Sequence, residues 1–237
     1  RSSTASSGTA GMRDPSRRFY DAIFERFKQL PGSDEIATRY ALAGLEGLLR
    51  RNRPEKIIEI GGGIGCLSAM ILHEAPSASL TVLERNGWCG ARWAENVVIK
   101  TSARTPPHRL SAWPDKPYDW PVRPVDLLVV DDWLPLRYDQ VEVLLGRRAL
   151  VFLEGNRPIE RCIVREGLRA KGRRVAALNR RPWDRSKGFW LLRAEATRAE
   201  RLWWGARTLA GRALDRMVCP FLRVRPGWRR RDTDANT

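Results

Sequence analysis

The sequence predicts an α/β protein: a doubly wound, mainly parallel sheet of seven strands with a terminal antiparallel strand pair, an N-terminal helical cap and a C-terminal helix. Three observations carry this expectation. From residue 56 onward, short β-branched runs alternate with helical segments, the pattern of a parallel sheet with crossover helices. The first strand runs into its helix through Gly61-Gly62-Gly63-Ile64-Gly65. The last two strands, 174–178 and 189–194, are joined by residues 179–188, too few for a crossover helix, so they should pair antiparallel.

Each element has its own signal. Phe19, Tyr20, Ile23, Phe24, Phe27 and Leu30 fall at helical spacing over 17–30, and Pro31-Gly32 ends that pattern. A second helix follows, with Ser33 as N-cap, Asp34 and Glu35 in its first turn, the stripe Tyr40, Ala41, Leu45 and Leu48, and Arg50, Arg51 and Arg53 near its end. Strands are predicted at 56–60, 80–83, 97–101, 125–130 and 146–153, and helices at 66–73, 88–95 and 159–170. The run 125–130 is the most apolar and reads as a strand buried on both faces. A Pro-rich loop, 105–124, carries Trp113, Tyr118 and Trp120 at a position where it can overhang the carboxyl edge of the sheet. Leu202, Trp203, Ala206, Leu209, Ala210, Ala213, Leu214 and Met217 share one side of a last helix. The organisation read from this is a flexible leader 1–16, with Met12 a candidate start, a helical cap 17–54, a catalytic domain 55–195, a basic amphipathic helix 196–222 and a disordered tail 223–237.

Composition narrows the classes. With 237 residues, 43% of them hydrophobic, the chain can bury a core without disulfides or metals. No uncharged apolar run approaches the ~18 residues of a membrane span. Cys66, Cys89, Cys162 and Cys219 lie far apart without a C-x-x-C pair, so neither a zinc site nor a disulfide framework is expected, and a reducing, cytoplasmic setting is implied. The net charge of +16 is unevenly placed: residues 1–155 hold 21 basic and 19 acidic residues, whereas 156–237 hold 22 and 8. That basic last third suits a phosphate-rich partner such as nucleic acid, an anionic membrane surface or an acidic small molecule, or else a solvated Arg-rich face.

The sharpest signal is Glu59-Ile60-Gly61-Gly62-Gly63-Ile64-Gly65. Glycines at a strand-to-helix turn permit positive φ and let a ligand approach backbone without meeting a Cβ, and a helix N-terminus beside them favours nucleotides. The spacing selects among ligands. A dinucleotide fingerprint would want glycine where Cys66 stands, and a Walker loop wants Gly-Lys-Ser/Thr, which is absent. Glu84 ends the second predicted strand 19 positions after Gly65, where a carboxylate can accept both hydroxyls of a ribose. Asp131 and Asp132 end the strand 125–130, at the edge where open α/β sheets bind ligands.

The pattern E-x-G-x-G-x-G, with the acid after the second strand and the closing antiparallel pair, resembles the class I S-adenosylmethionine-dependent methyltransferases over about residues 55–194. That resemblance implies S-adenosylmethionine as cofactor, with Glu59 and the backbone of Gly61, Gly62, Gly63 and Gly65 near its methionine moiety. It also implies Glu84 on the ribose and Asp131 facing the methyl donor or acceptor. Members often follow the third strand with an acid or amide for adenine; here residues 100–104 offer no carboxylate, leaving Ser102 or backbone.

Methyl transfer from a sulfonium asks the protein to orient the acceptor and, where needed, remove its proton. The turn Asp131-Asp132-Trp133-Leu134-Pro135 lacks the (N/D)-P-P-(Y/F) motif of base amino methylation, and no cysteine lies at a strand end for carbon-5 pyrimidine chemistry. An oxygen or simple amine of a small-molecule acceptor remains, with Asp131, Asp132 or His108 as base. The reading carries no metal; a resemblance to catechol-type O-methyltransferases would place a divalent cation at Asp131, Glu154 and Asn156. Alternatives are an RNA methyltransferase gripping phosphates with its basic third, an aminopropyltransferase of the same fold, peripheral contact of the helix 202–217 with an anionic membrane, and a homodimer using that helix.

Overall fold

The computed structural model describes residues 19–97, 109–111, 124–132, 144–155, 157–170, 172–177, 189–194 and 197–198. Its elements are α1 (Phe19–Lys28), a 3₁₀ turn (Ser33–Glu35), α2 (Arg39–Asn52), β1 (Lys56–Ile60), α3 (Cys66–Glu74), β2 (Ser79–Leu83), α4 (Gly87–Val97), β3 (Arg109–Ser111), β4 (Val125–Val130), β5 (Leu145–Glu154), α5 (Pro158–Ala170), β6 (Ala176–Ala177) and β7 (Phe189–Arg193). The strands form one mixed sheet in the order β3-β2-β1-β4-β5-β7-β6. Its body is five strands of five to ten residues, flanked by the three-residue β3 and the two-residue β6. β3, β2, β1, β4 and β5 run parallel, and β7 lies antiparallel to β5 and to β6.

Strand periodicity explains how both faces are covered. Successive side chains point to opposite sides. Ile57, Leu127, Val129, Phe152 and Leu191 therefore join Phe27 of α1, Leu42 and Leu45 of α2 and Met70 of α3 in one core cluster. Ile58, Ile60, Leu128, Val130, Val151 and Leu192 join Val164 and Leu168 of α5 in the other. The run over β4 is buried except at Asp126, whose carboxylate accepts from the amides of Glu55 (3.1 Å) and Lys56 (3.0 Å) and ties the amino end of β4 to β1.

Some expectations need correction, and others fall outside the described residues. The helix expected from Ser33 is a single 3₁₀ turn followed by extended Ile36, and Thr38 caps α2 by accepting from the Ala41 amide at 3.2 Å. The axis of α2 is set by the fully buried Ala41, Leu42, Leu45, Leu48 and Leu49, and this packing overrides the local cap signal at Ser33. Of the strand expected at 97–101, only Val97 is described, and it is the last residue of α4, one helical turn after Trp93, with both buried in the first core cluster; the strand that pairs with β2 is β3. Cys162 on α5 is disulfide-bonded, a single bond that the wide cysteine spacing does not announce, while Cys66 and Cys89 are free. Within the segment 105–124 expected as a loop, Arg109–Ser111 form β3, while 105–108, 112–123 and most of the helix 196–222 and the tail 223–237 lie outside the described residues. Among the described residues, no helix is long and apolar enough to cross a membrane.

Candidate active site at the carboxyl ends of the strands

The turn after β1 is pinned from both sides. Gly61 N donates to Leu83 O of β2 at 2.9 Å, and Asp131 N and Asp132 N, just past β4, donate to Ile60 O at 2.8 and 3.1 Å. Gly61 has φ +82, and a Cβ there would lie 2.5 Å from Asp132 Cβ and 2.8 Å from its backbone nitrogen, so only glycine lets the two strand ends meet. Gly63 differs in kind. It has φ +51, and among the described residues a Cβ there would meet nothing within 4 Å, which leaves open space over the turn. Gly62 and Gly65 pack instead, against Val82 and against Val97 and Trp93.

Carboxyl groups surround this opening at the ends of four adjacent strands. Glu84, following β2, accepts from Gly63 N at 2.8 Å and from Asn86 N at 2.7 Å, so it closes on the glycine turn rather than pairing with Arg85. Arg85 pairs with Asp132 at 3.1 Å. Glu59 is fully buried on β1, accepts from Ser68 Oγ at 2.5 Å, and Ser68 Oγ in turn accepts from Trp93 Nε1 at 2.7 Å. Its other oxygen, Oε1, has no hydrogen-bond partner among the described residues. Burial pushes the Glu59 carboxyl up to about 8, with the nearby Glu84 charge adding to the rise and the Ser68 hydroxyl opposing it.

The pairing of Val130 with Leu153 sets Asp131 beside Glu154 at the ends of β4 and β5. Burial, then the Glu154 charge, hold the Asp131 carboxyl well above the usual carboxylate range, and Arg157 opposes them. Arg157 Nη2 donates to Asp131 Oδ1 at 3.1 Å and also to the Asp131 carbonyl, while its Nε donates to the Glu154 carbonyl at 2.7 Å. Burial likewise pushes the Cys66 thiol up, and the Asp131 and Glu59 charges reinforce that, so this thiol at the start of α3 is held protonated and is no nucleophile.

Solved methyltransferases are among the structures this architecture matches. The chain is similar to an O-methyltransferase from Bacillus cereus in complex with SAH, at TM-score 0.54 and 13% identity over 73% of this chain and 89% of that one. It is similar to a precorrin-6y C5,15-methyltransferase from Geobacter metallireducens GS-15, at TM-score 0.53 and 15% identity, covering 69% and 92%. It is also similar to the SAH-bound Podospora anserina methyltransferase PaMTH1, at TM-score 0.50 and 14% identity, covering 73% and 86%. The chain has the methyltransferase fold. No protein-family model matches it, and no curated protein does.

Within that methyltransferase fold, Glu59, Gly61, Gly62, Gly63, Gly65, Glu84, Asp131, Asp132 and Glu154 gather at one sheet edge. Ser102, His108 and Asn156 lie outside the described residues. His73 is not at this edge; it stacks on Phe19 near the end of α3 with ring centroids 3.3 Å apart. Three contributors escaped the reading of the sequence: Ser68, Trp93 and Arg157. A serine on the otherwise apolar face of α3 was the available signal for the first, because a buried hydroxyl demands a partner.

Proposed function

We propose that the protein is an S-adenosylmethionine-dependent methyltransferase that methylates an oxygen, or a simple amine, of a small molecule. The observation that carries this reading is the open space over Gly63, bounded by a carboxylate that already closes on the Gly63 amide. A nucleoside entering there meets backbone without a Cβ and finds Glu84 within reach of its ribose hydroxyls. The unpartnered, buried Glu59 Oε1 gives the turn a polar group able to take a ligand hydrogen bond. The similarity to methyltransferases, one of them an O-methyltransferase and two carrying SAH, favours the same cofactor.

The donor supplies an activated methyl group on a sulfonium, so the remaining work belongs to the protein. Glu84 and the 61–65 backbone hold the nucleoside, and the residues 55–195 act as the binding domain. Asp131 stands at the edge next to the turn, at the end of β4, and is the carboxyl placed to take a proton from the acceptor. Asp132 is held by Arg85 and shapes the turn from below Gly61. Calorimetry of wild type and Glu84→Ala with S-adenosylmethionine and its demethylated product tests the reading: both ligands should bind the wild type, and the variant should lose tenfold or more. No uptake by the wild type at millimolar ligand defeats it.

A further inference from the structure

We propose that Arg157 is this chain's built-in replacement for a divalent cation, tying the carboxyl groups of Asp131 and Glu154 together so that this side of the site is complete without a metal. The inference rests on the methyltransferase reading for the identity of the site, but its geometry stands alone. Asp131 and Glu154 end adjacent strands, and two carboxyl groups so close need a positive charge between them or a shared proton. Arg157 supplies the charge from the residue preceding α5. Its Nη2 lies 3.1 Å from Asp131 Oδ1 and 4.0 Å from Glu154 Oε2, and the same side chain takes the backbone carbonyls of both residues.

These contacts explain why a metal does not fit. A hard divalent cation needs about six oxygen ligands at roughly 2.0–2.6 Å. Here the Asp131 carboxylate oxygen and both strand-end carbonyls already accept from a guanidinium, which cannot give up its proton. A cation placed between the same carboxylates would sit against that fixed positive charge. Among the described residues, no group of three or more His, Cys, Asp or Glu side chains is arranged to hold a metal ion. Arg157 is therefore a positioning residue: it acts on the acceptor through Asp131, whose carboxylate and carbonyl it fixes together.

Manganese titration of the full, chelator-treated chain tests this. Wild type, Arg157→Ala, Arg157→Gln and Arg157→Lys are compared by calorimetry with Mn²⁺, and separately with S-adenosylmethionine. Removing the guanidinium should create Mn²⁺ affinity at least tenfold above wild type in the Ala and Gln variants, and Lys, which keeps a charge, should restore the wild-type result. A merely structural arginine would not generate a cation site when removed. Wild type binding Mn²⁺ as tightly as the Ala and Gln variants, or neither neutral variant gaining affinity while folded by circular dichroism, overturns the proposal. Should the Ala variant fail to fold, the neutral, polar Gln variant decides. The S-adenosylmethionine arm reports on the parent reading instead, because its loss in wild type leaves the Mn²⁺ comparison intact.

Discussion

On the β1–β2 side the site is shaped by what side chains leave out, and on the β4–β5 side by charges that must be matched. Gly61 lets two strand ends touch, Gly63 leaves room above the turn, and Glu84 closes on the vacated backbone. Across the sheet, Asp131, Glu154 and Arg157 form a compact ionic group in which one guanidinium meets the Asp131 carboxylate and both strand-end carbonyls. The lesson is that one side is organised around missing side chains and the other around a charge distribution. Substitutions should separate the two.

The largest effect should come at Gly61. Gly61→Ala combines positive φ with a 2.5 Å approach to Asp132 Cβ, and should cost about 3–5 kcal/mol in chemical denaturation or prevent folding. Gly63→Ala, with nothing within 4 Å, should lose only about 1 kcal/mol of stability while weakening S-adenosylmethionine binding tenfold or more. Equal destabilisation of the two variants would erase the distinction between a packing glycine and a ligand glycine.

Glu59 comes next. Folding raises its carboxyl from an ordinary value of 4.5 to about 8, so the folded state keeps a proton that the unfolded state releases across that interval. Stability contributed by this group is therefore greatest at acid pH, falls as pH rises from 4.5 toward 8, and levels off above. Glu59→Gln should flatten that fall, gaining on the order of 3 kcal/mol over wild type between pH 5 and pH 8 in denaturant midpoints. Parallel pH profiles for the two proteins would mean the burial of Glu59 is not felt as an ionisation cost.

Glu84→Ala should lose about 1.5–3 kcal/mol of S-adenosylmethionine binding, the worth of hydrogen bonds to a charged group, with a smaller stability loss from the Gly63 and Asn86 amides. Arg85→Ala should do least. Its pairing with Asp132 is half exposed, so a stability change under about 1 kcal/mol and ligand affinity within twofold are expected. A larger effect would mean that the Asp132 side of the turn serves the ligand as well as the fold.

Legibility in the sequence followed the range of the forces involved. The glycine turn, Glu84 and the strand 125–130 were readable because glycine spacing, an acid at a strand end and an unbroken apolar run each express a local requirement. Thr38 as the cap of α2 and β3 at 109–111 were not, because packing of Ala41 and Leu42 sets the start of α2 and pairing with β2 across the sheet defines β3. Ser68 and Trp93 were equally hidden, since nothing near Glu59 in the chain announces that a helix hydroxyl and an indole will line up on its carboxyl.

By itself the sequence determined the alternation of strands and helices, the place of the glycine turn and the acid facing it. Those depend on backbone freedom and on periodicity, which are properties of neighbours along the chain. Only the tertiary structure decided that Glu59 is buried enough to hold its proton and that Arg157 reaches back to Asp131, 26 positions earlier, to bind two strand ends together. Burial and Coulomb attraction act through space, and strand order, not residue order, sets which charges become neighbours.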